Sequence, residues 1–205
     1  MAEKSEFEFV KNLGCLESGK YIEKYFLFSA SPVITGVKPS VLVSFKLCCY
    51  EVWTKQKKHL EDITGFCTYE LYKNCETFSM LIYSGESLAL NVQSNAAQKI
   101  LDKHGYTQGE LENLLSHLAN RFNNCKFPHE IGVFLGYPPE DVRAFIEKKG
   151  RDYLCCRYWK VYHNEKSARE IFGFIDAAKA RAIQLLTQQI PTYAVVKMLA
   201  EMQTC

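Results

Sequence analysis

The densest alternation of apolar and polar positions lies between Phe127 and Gly150, in FPHEIGVFLGYPPEDVRAFIEKKG. Ile131, Phe134 and Leu135 are three and four residues apart, the spacing of one helix face. Val142, Phe145 and Ile146 repeat that spacing beyond the break GYPP. Pro128 suits a first helical turn, where its missing N–H would have no partner anyway. Gly136 suits a helix end, where a left-handed backbone is tolerated without a side chain. The run predicts two short helices joined by a tight turn.

The flanking pattern supplies the other elements. Ser5 to about Ala30 reads as helical, with a break near Gly14. Ser31–Ser40 holds two prolines and a glycine and reads as a loop. Val41, Val43, Phe45 and Leu47 alternate with Leu42, Ser44 and Lys46, predicting a strand buried chiefly on one face. Glu51–Asp62 reads as a surface helix, with Lys55, Lys57, Lys58 and His59 on a solvated face. Cys67–Leu71 and Thr77–Tyr83 predict a β-hairpin, and Gly85–His104 is again helical. Gln108–Phe122 predicts an amphipathic helix whose stripe is Leu111, Leu114, Leu115, Leu118 and Phe122. Tyr153–His163, rich in aromatic and β-branched residues, predicts a fourth strand. Asn164 is placed to cap a long helix with Ala168, Ile171, Phe172, Ile175, Ala178, Ala182 and Leu185 on one side. Pro191 ends or kinks it, and Thr192–Met202 predicts a last helix.

Strands are few, helices many, and their order is not a βαβ alternation. The fold class expected is α+β: a small mixed β-sheet of about four strands, including a β-hairpin, covered by several α-helices. Without an internal repeat, low-complexity tract or obvious linker, residues 1–205 are expected to form one compact domain.

Composition narrows the function classes. Apolar residues make up 47% and aromatic residues 13% of 205, enough for a packed core. A formal charge of +2 gives no field that would select nucleic acid or an anionic membrane. The charged start MAEKSEFEFV lacks the apolar segment of a signal peptide, and no uncharged apolar run is long enough to span a bilayer. A cytoplasmic location with no membrane partner is expected. The nine cysteines are scattered, odd in number and without CxxC, which predicts reduced thiols buried as small hydrophobes. The adjacent pairs Cys48–Cys49 and Cys155–Cys156 lack metal spacing, so no metal site is expected.

Four stretches could carry chemistry. Gly132, Gly136 and Val142 have the spacing of a helix-turn-helix, with Pro139–Lys149 as the helix that would read DNA. Its leading residues are Glu140 and Asp141, which phosphates repel, so nucleic acid is disfavoured and helix packing explains the spacing better. His129 and Glu130 could form a base or ligand pair, but Val133 stands where a zinc-protease HExxH needs its second histidine. Catalytic residues therefore stay unknown, with His129 and Glu130 as weak candidates against a helix-start role. In the strand expected over Tyr153–His163, period two aligns Cys156, Tyr158, Lys160 and Tyr162. A lysine between phenol hydroxyls would hold a phosphate, a carboxylate or a flavin-like ring; a lysine reaching to water is the plainer alternative. TGVKPS, Thr35–Ser40, offers Gly36, Lys38 and Ser40 to an anion, although GxxxxGK[ST] is absent. Ligand-binding candidates are thus Lys38, Tyr158, Lys160 and Tyr162.

FPHEIGVFLGYPPEDVRAFI, followed by YWKVY and a long helix, resembles the domain of unknown function 3793 family. The likeness is strongest from about Cys125 to Phe174, and ITGVKPSVLVSF and ETFSMLIYS fit more loosely. Ala144 and Arg157 stand where glycine is common in that family. The resemblance implies a bacterial cytoplasmic protein of anaerobes and carries over no catalytic residue. The expected function is a non-enzymatic binding or accessory module for a small anionic ligand or a partner protein. The alternatives are an enzyme with a nonstandard His/Glu site, a redox or haem/iron accessory protein, and a helix-turn-helix DNA binder. The cofactor is unknown, and whether the protein is an enzyme stays open.

Overall fold

The computed structural model describes residues 2–107, 109–124, 127–188 and 190–204, with backbone alone at 2, 3, 203 and 204. Cys125 and Cys205 lie outside the described residues. Two helices, α1 (Ala2–Leu13) and α2 (Ser18–Ile34), lead into strand β1 (Ser40–Lys46) and helix α3 (Tyr50–Thr64). The hairpin β2 (Cys67–Lys73) and β3 (Thr77–Tyr83) follows, then α4 (Gly85–Val92), α5 (Asn95–Lys103) and α6 (Leu111–Asn124). The patterned run forms α7 (Ile131–Phe134) and α8 (Pro139–Glu147). Two short strands, β4 (Cys155–Cys156) and β5 (Lys160–Val161), precede α9 (Glu165–Leu186) and α10 (Thr192–Ala200).

The α+β class holds, and each ladder is antiparallel, in the order β1-β3-β2 with β4 and β5 paired apart. β3 is the central strand, and both its faces are covered. Phe78, Met80 and Ile82 join Val43 and Phe45 in a core with α2, α3 and α9. Leu81 and Tyr83 point the other way, into a second core with Leu71 and the α4–α8 helices. The second apolar face exists because helices α4 to α8 return over the sheet's other side.

Three expectations are corrected. The loop expected to start at Ser31 is helical to Ile34, with Pro32 inside α2. Proline removes the donor that would reach the carbonyl of Phe28, and the Ser31 hydroxyl donates to that carbonyl instead, at 2.8 Å. The single strand expected over Tyr153–His163 is a tight hairpin with Arg157–Trp159 at its turn. Its aromatic residues pack on helices rather than on a sheet: Trp159 stacks on Tyr137 at 5.1 Å and meets Phe172 edge-on at 4.5 Å. The thiols are not mainly buried. Among the described cysteines Cys49 is buried, Cys155 is intermediate, and Cys15, Cys48, Cys67, Cys75 and Cys156 are exposed and free.

The α7–α8 pair explains the helix-turn-helix spacing by packing. A Cβ on Gly132 would meet Val142 Cγ2 at 2.8 Å, so the first glycine makes room for the valine of α8. The Pro139 helix is held on two sides, by Val142 in the second core and by Asp141 beneath the β4–β5 hairpin.

Candidate functional site

The loop Thr35–Pro39 is seated by four contacts. Lys38 N–H donates to Pro32 O at 2.9 Å, and Ser84 N–H donates to Pro39 O at 3.0 Å. The buried Ser40 hydroxyl donates to Phe134 O at 2.7 Å, and the Pro39 ring fills the space beside Gly136. This loop therefore lies against the α7–α8 turn and carries Lys38 to the edge of a cleft.

The cleft has a volume of about 550 Å³. Its floor and walls are mostly apolar: Phe28 and Pro32 of α2, Val41 and Leu42 of β1, Ile131 and Leu135 around α7, Val142 and Phe145 of α8, and Ile175 of α9. Polar side chains at its surface are Lys38, His129, Tyr137, Arg157, Tyr158, Lys160 and Lys179, with the carboxylates of Glu6 and Asp141.

The charged groups differ in what already holds them. Lys179 donates to Glu6 Oε1 at 2.7 Å, and Arg157 pairs with Asp176 at 2.6 Å. Tyr158 also donates to Asp176, at 2.7 Å; burial first, and then that carboxylate, push its phenol pKa up. Tyr137 donates to Tyr158 O at 3.1 Å, and burial raises its pKa to about 12. Both phenols are therefore neutral at pH 7. Lys160 donates to Gly150 O at 2.7 Å and lies over the ring of Tyr153 at 4.8 Å, with no carboxylate within ion-pair distance among the described residues. Lys38 Nζ has neither a carboxylate nor a hydrogen-bond acceptor among them, and sits 4.6 Å from the Tyr137 ring centre. Burial, and next the charge of Lys179, lower its pKa to about 7.

Asp141 holds the floor. It is 2% exposed, and its Oδ2 accepts from Trp159 Nε1 at 2.9 Å. Its Oδ1 accepts from Tyr162 N at 2.8 Å and His163 N at 2.9 Å. Asp141 thus fastens the hairpin that carries Arg157, Tyr158 and Lys160.

Of the residues singled out in the sequence, Lys38, His129, Tyr158 and Lys160 meet at this cleft. Tyr162 does not: it is buried, with its hydroxyl lacking a partner and Lys148 over its ring at 5.3 Å. The hairpin turn breaks the period-two alignment that grouped it with Tyr158 and Lys160. His129 and Glu130 are neighbours whose side chains part. His129 packs on Phe145 at the cleft, while Glu130, 1% exposed, pairs with Arg121 of α6 at 2.7 Å. Ala144 is buried in α8, and Arg157 stands at the cleft. Sequence reasoning missed Lys179 and Tyr137. Lys179 was legible as the residue one helical turn beyond Ile175, on the edge of the apolar stripe. Tyr137 gave no signal beyond its place in the turn.

The Glu130–Arg121 pair yields a pH prediction. Burial alone would raise the Glu130 pKa; hydrogen bonds from Arg121 and the backbone, with the charges of His104 and Arg121, outweigh it and hold the pKa below the ordinary 4.5. A depressed folded-state value means stability that is complete above 4.5 and lost as pH falls through the lower value. Glu130→Gln should cost about 1.5–3 kcal/mol at pH 7, the range of a hydrogen bond to a charged group. The gap to wild type should close towards acid pH in urea titrations across that window. A pH-independent gap would show that the pair's charge is not what stabilises.

Among the described residues no group of three or more His, Cys, Asp or Glu side chains is placed to hold a metal ion, and no helix is long and apolar enough to cross a membrane. The molecule is thus an α+β protein with an apolar, lysine-bearing cleft between a helical pair and a small hairpin. The chain belongs to the family described as protein of unknown function DUF3793, whose model matches residues 26–196. Of the side chains at the cleft, Glu6 and Tyr25 lie outside that stretch. Searches of curated proteins and of solved structures gave no match.

Proposed function

We propose that the protein binds a small organic anion with an apolar body in this cleft. One observation carries the reading: two lysines at this mostly apolar cleft, Lys38 and Lys160, have no carboxylate within ion-pair distance among the described residues, whereas Lys179 and Arg157 do. The volume falls within the range of small-molecule sites, and an apolar lining with a few convergent polar groups is their usual make-up. An anion supplies what the lysines lack, while Phe28, Phe145 and Leu135 take up its hydrocarbon part.

The test is calorimetric titration with 1-naphthoate and with its neutral amide. Naphthoate should bind saturably, and the amide more weakly. Lys38→Met and Lys160→Met should each lower naphthoate affinity by about 10- to 100-fold, the loss of one hydrogen bond to a charged group. Equal binding of acid and amide, or no saturable binding of either, removes the reading.

A further inference from the structure

Lys38 differs in kind from the other cations of the cleft. Lys179 and Arg157 are each neutralised by a carboxylate, and Lys160 is tied to a backbone carbonyl. The Lys38 amine has no hydrogen-bond acceptor among the described residues, so its protons meet only the face of the Tyr137 ring. Its backbone is fixed on both sides, by the Lys38 N–Pro32 O bond and by Pro39 against Gly136. A lysine held by a rigid loop in an apolar cavity beside a second ammonium has the environment that turns an amine into a nucleophile.

Resting on the anion-binding reading, we infer that the cleft takes carboxylates bearing a ketone or aldehyde, and that Lys38 captures them as a Schiff base. The Nζ lone pair adds to the carbonyl carbon. The carbonyl oxygen takes up both protons of the neutral amine, one on addition and one on dehydration, and leaves as water. A C=N bond replaces C=O, with no net change in electrons and no outside oxidant or reductant. The ligand's carboxylate lies towards Lys160, the other cleft ammonium without a carboxylate partner among the described residues, and its apolar body towards Phe28 and Phe145. With its pKa lowered to about 7, a substantial share of the Lys38 amine is unprotonated at neutral pH, whereas an exposed lysine is almost wholly protonated. The neutral Tyr137 phenol fits the same purpose, since a phenolate there would restore the proton to the amine.

The experiment uses the full chain with phenylpyruvate as probe and phenyllactate, in which a hydroxyl replaces the ketone, as the non-condensing control. Borohydride is added and the adduct is mapped by peptide mass spectrometry. Lys38 should carry about tenfold or more label than any other lysine, because only an unprotonated amine condenses. Phenyllactate in excess should suppress that label. Lys38→Arg, which keeps the positive charge, should lose it. The mapping on unaltered protein stands even where a variant folds poorly. Label spread evenly over surface lysines overturns the inference. Phenyllactate binding without a Lys38 adduct overturns the Schiff base and leaves the anion site standing. Absence of both binding and adduct removes the two together.

Discussion

Replacing Asp141 by alanine is expected to lower stability by about 2–6 kcal/mol, about 1–3 kcal/mol for each of the two buried donors it leaves without an acceptor. The carboxylate is 2% exposed and receives three N–H groups at 2.8–2.9 Å: the Trp159 indole and the amides of Tyr162 and His163. Alanine leaves all three donors without an acceptor. His163 is partly exposed, so its amide can turn to water; Trp159 and Tyr162 are buried and cannot. Asp141→Asn separates charge from geometry. Its remaining oxygen can still accept from the two amides, but its NH₂ then faces the indole N–H, donor against donor. A loss of about 1–3 kcal/mol is expected for that variant. Urea unfolding followed by tryptophan fluorescence reads both. The hairpin carries Arg157, Tyr158 and Lys160, so naphthoate affinity should fall in parallel with stability. A loss below about 0.5 kcal/mol for the alanine variant, the level of an ordinary surface change, would mean the hairpin is held by its aromatic packing alone.

The contrast between Asp141 and Glu130 shows what a sequence can and cannot disclose. Both are acids at or near helix starts, where the local pattern offers only the exposed amides and dipole of a first turn. The burial of each depends on a residue outside its own helix turn: Trp159 on the hairpin for Asp141, Arg121 on α6 for Glu130. Local pattern carried the helices well where one face is buried, as in α6 and α9, because a 3.6-residue period then survives in the sequence. It carried the β2–β3 hairpin but not the burial of β3 on both faces, since the helices that cover Leu81 and Tyr83 follow later in the chain. The strand expected over Tyr153–His163 failed because aromatic content signals burial, not pairing: Trp159 is buried and Tyr158 half-buried against Phe172. Lys38 and Lys160 were visible as candidates from their loop and aromatic settings. Their meeting at one cleft was not, because 122 positions separate them and the loop is seated by Pro39 on Gly136.

That seating makes Gly136→Ala the second large effect, expected at about 2–5 kcal/mol. Two costs combine. Gly136 has φ +70°, where a Cβ costs about 1–2 kcal/mol. The added methyl would also lie 2.4 Å from Pro39 Cδ and 2.7 Å from its Cγ, and overpacking of that kind costs about 1–3 kcal/mol. A flexible side chain would swing aside; a proline ring cannot, and its carbonyl is pinned by Ser84 N–H. Relief must come from shifting the loop, which moves Lys38 next to it. The methyl therefore also lowers phenylpyruvate trapping at Lys38, at a site where it touches no ligand. Pro39→Ala supplies the cycle that isolates the clash. In that background Gly136→Ala retains only its backbone cost of about 1–2 kcal/mol, so the two substitutions couple favourably. Equal losses in both backgrounds would assign the whole effect to the left-handed backbone. The loop that presents Lys38 would then be held by Ser40 and Ser84 without help from the turn between α7 and α8.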